Sequence, residues 1–310
     1  MQLLFLGTGA GIPSKERNVS SLILDLLQER NSVWMFDCGE GTQQQILHTS
    51  VKPRKIDKIF ITHLHGDHIF GLPGFLSSRS FLGAEKDSLT IYGPIGVKQY
   101  VETALKVSKT HLTYPLYIKE LTDEGTIFED ERFYVDVVRL RHNVKSFGYR
   151  ITEKDMPGEL QVSKLKELGI APGPIYREIK ENERTELPDG TVIHRKDVVG
   201  RPKKGRVVSI FGDTTYIPQH ASFLKRSDVL VHEATFSKEN ANLAKEYYHS
   251  TTVEAATLAK KAEVKKLILT HISSRYQQND IKMLLREAQA IFPETVIAED
   301  FFTYDVKSEG

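Results

Sequence analysis

Three histidines and one aspartate lie within six residues, in the stretch HLHGDH. The chain has only 11 histidines among 310 residues, so this density is unusual. Imidazole and carboxylate groups are the ligands expected of a zinc-type site in a chain without paired cysteines. The alternation of side chains in an extended turn points His63 and His65 to one side, and a permissive Gly66 lets Asp67 and His68 turn toward a second position. The hexapeptide therefore predicts two ligands for each of two metal ions, and a helix start carrying solvated histidines is the structural alternative.

Other ionisable residues directly follow predicted strands elsewhere in the chain. The strand-like stretches VDVVRLR, VVSIFG, DVLVH and LILT lead into His142, Asp213, Glu233 and His271. Loop positions at the carboxyl ends of several strands can converge in one crevice, so we expect one shared site. Taken singly, these residues are weaker signals, because a lone histidine at a strand end is more often structural and an aspartate can cap a turn.

The composition is that of a globular protein, with 40% hydrophobic and 27% charged residues and a net charge of +1. These values argue against a disordered or fibrous chain, and the balanced charge does not itself indicate nucleic acid as a partner. Cys38 is the only cysteine, which excludes an intrachain disulfide and a multi-cysteine zinc site. The apolar run at the start is too short for a signal peptide, and no segment approaches membrane-spanning length. We therefore expect a soluble, cytoplasmic protein that does not bind a membrane.

Short apolar runs rich in branched residues predict buried strands, and stretches with helical spacing lie between them. The predicted strands are residues 3–6, 22–26, 33–36, 59–61, 89–92, 135–140, 207–211, 229–231 and 267–269. The predicted helices are residues 42–47, 97–105 and 251–262, and the last begins with a threonine and a glutamate that make a capped start. Residues 155–205 differ, because they contain five prolines and few long apolar runs. We expect one α/β domain over residues 1–310 with an arm inserted at 155–205.

On these motifs the chain resembles the metallo-β-lactamase fold hydrolases, whose metal motif is H-x-H-x-D-H, and within them the ribonuclease Z type of transfer RNA 3′-end processing endonuclease. The supporting stretches are LFLGTGAG, PSKERN, FDCGEGTQQQ, HLHGDHIFGLPG, FGDT, HEAT, HST and THISSRY. The first metal motif is shared by the whole superfamily, whereas PSKERN, HEAT and HST are specific to this type. The resemblance implies a four-layer αβ/βα sandwich with a flexible inserted arm.

The resemblance also implies two zinc ions per subunit, a count that the histidines and carboxylates at the strand ends can satisfy. Two divalent ions can activate a bridging water and stabilise both the attacking and the leaving oxygen of an in-line displacement at phosphorus. The implied ligands are His63, His65 and His142 for one ion, Asp67, His68 and His271 for the other, and Asp213 for both.

Catalytic roles follow from the same resemblance. Asp67 would position the attacking water as the general base, and His249 would protonate the leaving oxygen while Glu233 holds its imidazole. Without the resemblance, a structural role of HEAT as a strand end and of HST as a helix cap explains these motifs as well as a catalytic role does.

Substrate contacts are implied at the loop that carries PSKERN. Lys15 and Arg17 would line the channel for the 3′ end of precursor transfer RNA and help to reject RNA that already carries CCA. Arg275, four residues after His271, is a candidate phosphate contact. From the sequence alone, a loop with two cations is more often a solvated surface.

The arm has an uneven charge distribution. Between residues 195 and 206 there are six basic residues and one acid, a surplus of +5. Such a cluster is typical of phosphate binding, although a solvated loop has the same composition. The resemblance implies an arm that clasps transfer RNA from the other subunit of a homodimer. Its candidate contacts are Pro172, Gly173, Pro174, Arg201, Lys203 and Lys204.

Two other functions stay open at this point. The chain could be another hydrolase of the same fold that acts on small phosphodiesters, or an RNA-binding scaffold without activity. The arm and PSKERN argue against the first, and the complete set of candidate ligands argues against the second. Histidine and carboxylate ligands do not distinguish zinc from manganese.

Overall fold

The larger part of the chain is built on two seven-stranded sheets in this computed structural model, which describes residues 1–83 and 87–308. The first sheet contains β1 (Gln2–Gly7), β3 (Ser21–Leu26), β4 (Ser32–Phe36), β5 (Ile56–Phe60), β6 (Leu89–Pro94), β7 (Leu116–Leu121) and β18 (Thr303–Asp305). Its strand order is β18-β1-β3-β4-β5-β6-β7, and the strands from β4 to β7 are parallel.

The second sheet contains β8 (Gly125–Glu129), β9 (Phe133–Leu140), β10 (Ser146–Glu153), β13 (Val207–Phe211), β14 (Val229–Glu233), β15 (Leu267–Thr270) and β17 (Thr295–Ile297). Its order is β17-β15-β14-β13-β10-β9-β8. The neighbours β13, β14, β15 and β17 are parallel, so their carboxyl ends share one edge. A short parallel pair, β2 (Gly9–Ala10) and β16 (Ile272–Ser273), joins the chain after β1 to the chain after β15.

Helices cover the outer faces of both sheets. The helices in the two outer clusters are α2 (Thr42–Leu47), α3 (Gly66–Ile69), α4 (Leu72–Phe81), α5 (Val97–Val107), α9 (His220–Leu224), α11 (Thr252–Lys261) and α12 (Gln278–Gln289). Two further short helices are α1 (Leu27–Arg30) and α10 (Ala241–Glu246). Short 3-10 turns lie at Pro53–Lys55 and Lys238–Asn240. Helix α11 begins with a capping box between Thr251 and Glu254, as its sequence predicts. Within the described part of the chain, no helix has the length and apolar character needed to cross a membrane.

The apolar residues of each strand alternate between two buried faces. In β4, Trp34 and Phe36 pack into a central core shared by the two sheets, whereas Val33 and Met35 pack against the helices outside the first sheet. A third cluster joins the second sheet to helices α9, α11 and α12. Burial on both faces explains why the strands read as continuous apolar runs. The order of layers is helix, sheet, sheet, helix, which confirms the predicted four-layer αβ/βα sandwich.

Glu153–Arg206, with residues 307 and 308, form a second compact unit. This unit contains α6 (Val162–Glu167), α7 (Pro174–Glu181), β11 (Arg184–Glu186), β12 (Val192–His194) and α8 (Arg195–Val198). A small apolar cluster, including Leu165, Ile179 and Val198, is buried among these elements. Its two ends pair with each other as extended chain at Met156 and Lys203 and again at Leu160 and Val199. The assignment of residues 155–205 to RNA binding stays a prediction.

Candidate metal centre

The structure brings the predicted ligands together at the ends of their strands. His63 and His65 lie in the turn after β5, and Asp67 and His68 lie in the first turn of α3. His142, Asp213 and His271 follow β9, β13 and β15. The ligand atoms of the group His63, His65, His142 and Asp213 lie within 4.8 Å of one another, and so do those of the group Asp67, His68 and His271.

Asp213 lies between the two groups. Its Oδ2 atom is 3.6 Å from His63 Nε2, 3.5 Å from His68 Nε2 and 3.3 Å from His271 Nε2. The residue is buried, which opposes its charge, but the imidazoles of His271, His68 and His63 hold the pKa of this carboxyl well below its usual range. A buried carboxylate that stays ionised here can face two cations at once.

The spacing of the inward atoms matches a coordination shell. His65 Nδ1 lies 3.0 Å from His63 Nε2 and 3.2 Å from His142 Nε2. Asp67 Oδ2 lies 3.4 Å from His68 Nε2 and 3.3 Å from His271 Nε2. Bonds of about 2.0–2.1 Å to a tetrahedral zinc ion place neighbouring ligand atoms about 3.3–3.4 Å apart.

Outer hydrogen bonds fix the tautomers of these imidazoles. His142 Nδ1 donates to the Tyr248 carbonyl at 2.8 Å, and His68 Nδ1 donates to Asp37 Oδ2 at 2.7 Å. With Nδ1 protonated, a neutral imidazole keeps a lone pair on Nε2, the nitrogen that faces the cluster. Among the described residues, the buried His68 Nε2 atom has no hydrogen-bond partner.

Two threonines act in the same way on the other imidazoles. The Thr62 hydroxyl donates to Asp37 Oδ2 at 2.8 Å, so it can accept from His63 Nδ1 at 3.0 Å. The Thr235 hydroxyl donates to a neighbouring carboxylate, so it can accept from His271 Nδ1 at 2.9 Å. In these tautomers the neutral imidazoles of His63, His68, His142 and His271 turn an Nε2 lone pair toward the cluster, an arrangement that fits metal cations.

The loop FDCGEG, which carries Asp37, packs directly against helix α3, which carries Asp67 and His68. Cys38 N–H donates to the His68 carbonyl at 2.8 Å, and Gly71 N–H donates to the Cys38 carbonyl at 2.9 Å. A side chain at Gly39 would overlap the Asp67 carbonyl, since its Cβ would lie 2.2 Å away. This close approach explains the glycine in the loop and holds Asp37 behind His68.

The interpretation of Gly66 as a conformationally permissive turn is wrong. Gly66 begins helix α3, and its φ is not in the left-handed region. A Cβ at this position would lie 2.2 Å from the ring of the exposed Phe70, so a side chain here would have to displace that ring. The left-handed backbone lies instead at Asp37 and His271, both with φ of 56°. Strained backbone of this kind is common at functional sites.

Glu233 and His249 form a buried ion pair beside the cluster. His249 Nδ1 donates to Glu233 Oε1 at 2.9 Å. The same oxygen accepts the Thr214 and Ser250 amides, and Oε2 accepts the Thr235 amide and hydroxyl. Burial opposes the charge on His249, but Glu233 outweighs it and raises the pKa of His249 to about 9. His249 therefore holds a proton that it can give away.

The two cations of PSKERN have different surroundings. Lys15 is exposed. Arg17 is half-buried, and its Nη1 atom donates to the Thr8 hydroxyl at 2.7 Å and to the Ala298 carbonyl at 2.6 Å. The Asn18 amide donates to Asp300 Oδ2 at 2.7 Å. Arg17 thus fixes the loop to the end of the chain, a structural role in addition to the predicted RNA contact.

The predicted phosphate contact Arg275 lies near the ion pair. Its guanidinium carbon is 5.1 Å from the centre of the Phe236 ring, and that ring is 6.1 Å from His249. The side chain is exposed. Phe236 thus lies between Arg275 and His249.

The charge surplus of the arm is smaller in space than in sequence. Arg206 makes a bidentate ion pair with the buried Glu153, at 2.6 and 3.0 Å. Lys203 donates to Glu159 at 2.6 Å. Arg201 and Lys204 are exposed, as are Pro172, Gly173 and Pro174, which precede or begin α7. Glu153 and Glu159 lie more than forty positions from their basic partners in the sequence. The net charge of residues 195–206 therefore does not include them.

Several known proteins are similar to this chain. A family model described as Anti-Pycsar protein Apyc1 matches residues 1–154, which is slightly less than half of the chain. A ribonuclease Z of Oceanobacillus iheyensis is 60% identical over 99% of this chain and 100% of its own length. A ribonuclease Z of Bacillus licheniformis is 58% identical over 99% of both chains. The crystal structure of a human tRNase Z, short form, is 30% identical and superposes with a TM-score of 0.73 over 99% of this chain and 100% of that one.

Proposed function

This chain belongs to the ribonuclease Z family, and we propose that it removes the 3′ trailer of precursor transfer RNA. It cuts after the discriminator nucleotide, leaving a 3′-hydroxyl on the transfer RNA and a 5′-phosphate on the trailer. The convergence of seven acceptor side chains on two adjoining positions, beside a protonated histidine, carries this proposal.

Two zinc ions per subunit complete the site. We assign one to His63, His65 and His142, the other to Asp67, His68 and His271, and give Asp213 to both. Their spacing and their fixed tautomers support this assignment. When bound, the ions supply Lewis-acid stabilisation of the charge that develops on the phosphoryl oxygens.

Asp67 is the general base of the proposed reaction. The Gly11 amide donates to Asp67 Oδ2 at 2.9 Å, and this same oxygen faces His68 and His271. The carboxyl group is thereby fixed in orientation, with Oδ1 left to take the proton of the attacking water. Because the base is already oriented, no further entropy is lost in orienting it when the transition state forms.

His249 is the general acid. Glu233 fixes Nδ1, so Nε2 is the nitrogen that gives its proton to the departing O3′ atom of the discriminator nucleotide. An alkoxide leaves poorly at neutral pH, and this proton removes that barrier. Protonation of O3′ yields the 3′-hydroxyl on the transfer RNA body.

Substrate selection in this proposal uses the loop and the arm. Lys15, Arg17 and Arg275 contact the backbone near the cut. In the arm, the element Pro172, Gly173 and Pro174 contacts the transfer RNA together with Arg201, Lys203 and Lys204. Recognition through the phosphate backbone reads RNA shape, not base sequence.

We further propose that the enzyme is a homodimer that acts in the cytoplasm. An apolar groove between α2 and α4 supports a dimer, because Leu47 is 78% exposed and Phe81 is 85% exposed there. Large exposed apolar side chains that cluster on a surface mark interfaces. Light scattering of the wild type should give twice the chain mass, and the double variant L47K/F81K should give a monomer. A monomeric wild type would refute the dimer.

Cleavage of a precursor transfer RNA with a 3′ extension tests the function. We expect one cut beside the discriminator nucleotide, lost with chelator and lost in Asp67→Asn. The rival hydrolase predicts that a small phosphodiester is hydrolysed while the precursor survives. The scaffold alternative predicts that the protein binds the precursor and cuts neither substrate.

A further inference from the structure

The chain reverses direction immediately before the proposed acid. Helix α10 ends at Glu246, and the His249 amide donates back to the Ala244 carbonyl at 2.7 Å. The Tyr248 amide donates to the Lys245 carbonyl at 3.4 Å. This pair of hydrogen bonds forms a Schellman motif, in which Tyr248 occupies the left-handed position, with φ of 58°. The helix end therefore fixes the backbone position of His249.

Tyrosine is a costly residue at that position. The left-handed conformation brings Cβ against the backbone, so glycine usually occupies it. The backbone function of Tyr248 needs no side chain, because it is the carbonyl that accepts His142 Nδ1 at 2.8 Å. Glycine would supply the same carbonyl with less strain. Lys109 after α5 and Glu263 after α11 have the same left-handed conformation at their helix ends. It is therefore the place of Tyr248, beside His142 and His249, that gives its side chain a role.

Tyr248 is 40% exposed and immediately precedes the proposed acid in the chain. An exposed aromatic face can stack on a nucleobase, and single-stranded RNA ends are commonly bound in this way. Stacking does not depend on which base is present, since every base has a π face. It therefore suits an enzyme whose substrates share a shape but differ in sequence.

We propose that the Tyr248 ring stacks on one of the two nucleobases that flank the scissile phosphate. The inference rests on the proposed cleavage of precursor transfer RNA. A base held by Tyr248 places the phosphate beside the imidazole of His249, the next residue in the chain. Tyr248 is thus a positioning residue that links base binding, the metal ligand His142 and the proton donor.

The test compares three variants on a precursor transfer RNA with a 3′ extension. For Tyr248→Gly we expect KM to rise about 5- to 150-fold, the range for loss of one stacked base. We expect kcat to change little, because stacking stabilises the bound substrate and the transition state alike. Tyr248→Phe should stay within about twofold of the wild type. Tyr247→Ala is the matched control, since Tyr247 is 52% exposed but one residue farther from His249.

Two further measurements separate stacking from a structural role. Tyr248→Gly should bind the same amount of zinc and melt at the same temperature or higher, because the strain is gone. A precursor with an abasic site at either flanking nucleotide identifies the base. On one of these substrates the wild type and Tyr248→Gly should have equal KM values, which is the coupling expected of a direct contact.

Several results would overturn this inference. They are an unchanged KM in Tyr248→Gly, a Tyr248→Phe variant as impaired as Tyr248→Gly, loss of zinc or of stability in Tyr248→Gly, and an effect that persists on both abasic substrates. A wild type that does not cleave the precursor would instead remove the proposed function itself.

Discussion

Replacing Asp37 by asparagine should weaken metal binding although Asp37 is not a ligand. Its Oδ1 accepts the Thr62 amide at 2.7 Å, and its Oδ2 faces His68 Nδ1 at 2.7 Å. If the asparagine oxygen keeps the Thr62 amide, its NH₂ group lies against His68 Nδ1 and donates to it. The imidazole proton then moves to Nε2, the nitrogen that faces the proposed metal site. The opposite orientation sets the NH₂ group against the Thr62 amide.

Either orientation lowers the affinity of the second metal position. Loss of such an outer partner typically costs tenfold to a hundredfold in metal affinity, or about 1.4–2.8 kcal/mol. Competition with a chromophoric chelator measures the two zinc affinities separately. We expect the larger loss at the position of His68, which Asp37 contacts directly, and a smaller loss at the position of His63, which Asp37 orients through the Thr62 hydroxyl. Cleavage at low zinc should fall in parallel.

Asp228→Asn is the matched control. Asp228 accepts the Val207 amide at 2.7 Å and pairs with Lys265, beside the second sheet and outside the cluster. This variant should lose about 1–3 kcal/mol of unfolding free energy, as a buried acceptor does, and keep both zinc affinities. An Asp37→Asn variant that binds two zinc ions as tightly as the wild type would refute this role of Asp37.

Three further predictions follow from other contacts. Glu233→Gln should lower kcat by about 10²- to 10⁴-fold, and the loss should be larger at pH 8.5 than at pH 6. The raised pKa of His249 keeps this imidazole protonated up to about pH 9 in the wild type, whereas the glutamine lets that pKa fall toward 6.5. A ratio of wild-type to variant rates that does not depend on pH would contradict this prediction. Arg17→Ala should lower the free energy of unfolding by about 1–3 kcal/mol in urea titrations, because the loop loses its bonds to Thr8 and Ala298, and an unchanged midpoint would argue against the structural role. Lys204→Ala should reduce the slope of log affinity against log salt by about one for precursor transfer RNA; an unchanged slope would remove this residue from the RNA contacts.

Much of the fold was predictable because burial on both sheet faces leaves a plain signal. The predicted strands lie where apolar runs supply both the central core and an outer helix layer. Strand β8 was missed because it lies at a sheet edge and is largely exposed, so its sequence needs no apolar run. Strand β10 was missed although it is mostly buried, because its stretch SFGYRITE mixes polar and apolar residues.

The sequence predicted the residues of the cluster but not the residues that hydrogen-bond to them from behind. The motif around His63 and the strand ends are visible in the sequence, because they are local patterns. Asp37 and Thr235 act through contacts with residues 31 and 36 positions away, which no spacing reveals. The helix end at Tyr248 was also invisible, since glycine is the usual signal for that turn.

Titration of zinc into metal-free protein, with cleavage of precursor transfer RNA followed in the same samples, tests the two-ion site most directly. We predict two equivalents bound per subunit, with cleavage beside the discriminator nucleotide appearing as the second equivalent binds. Full activity at one equivalent, or no activity at two, would contradict the assignment of the cluster as a two-metal catalytic centre.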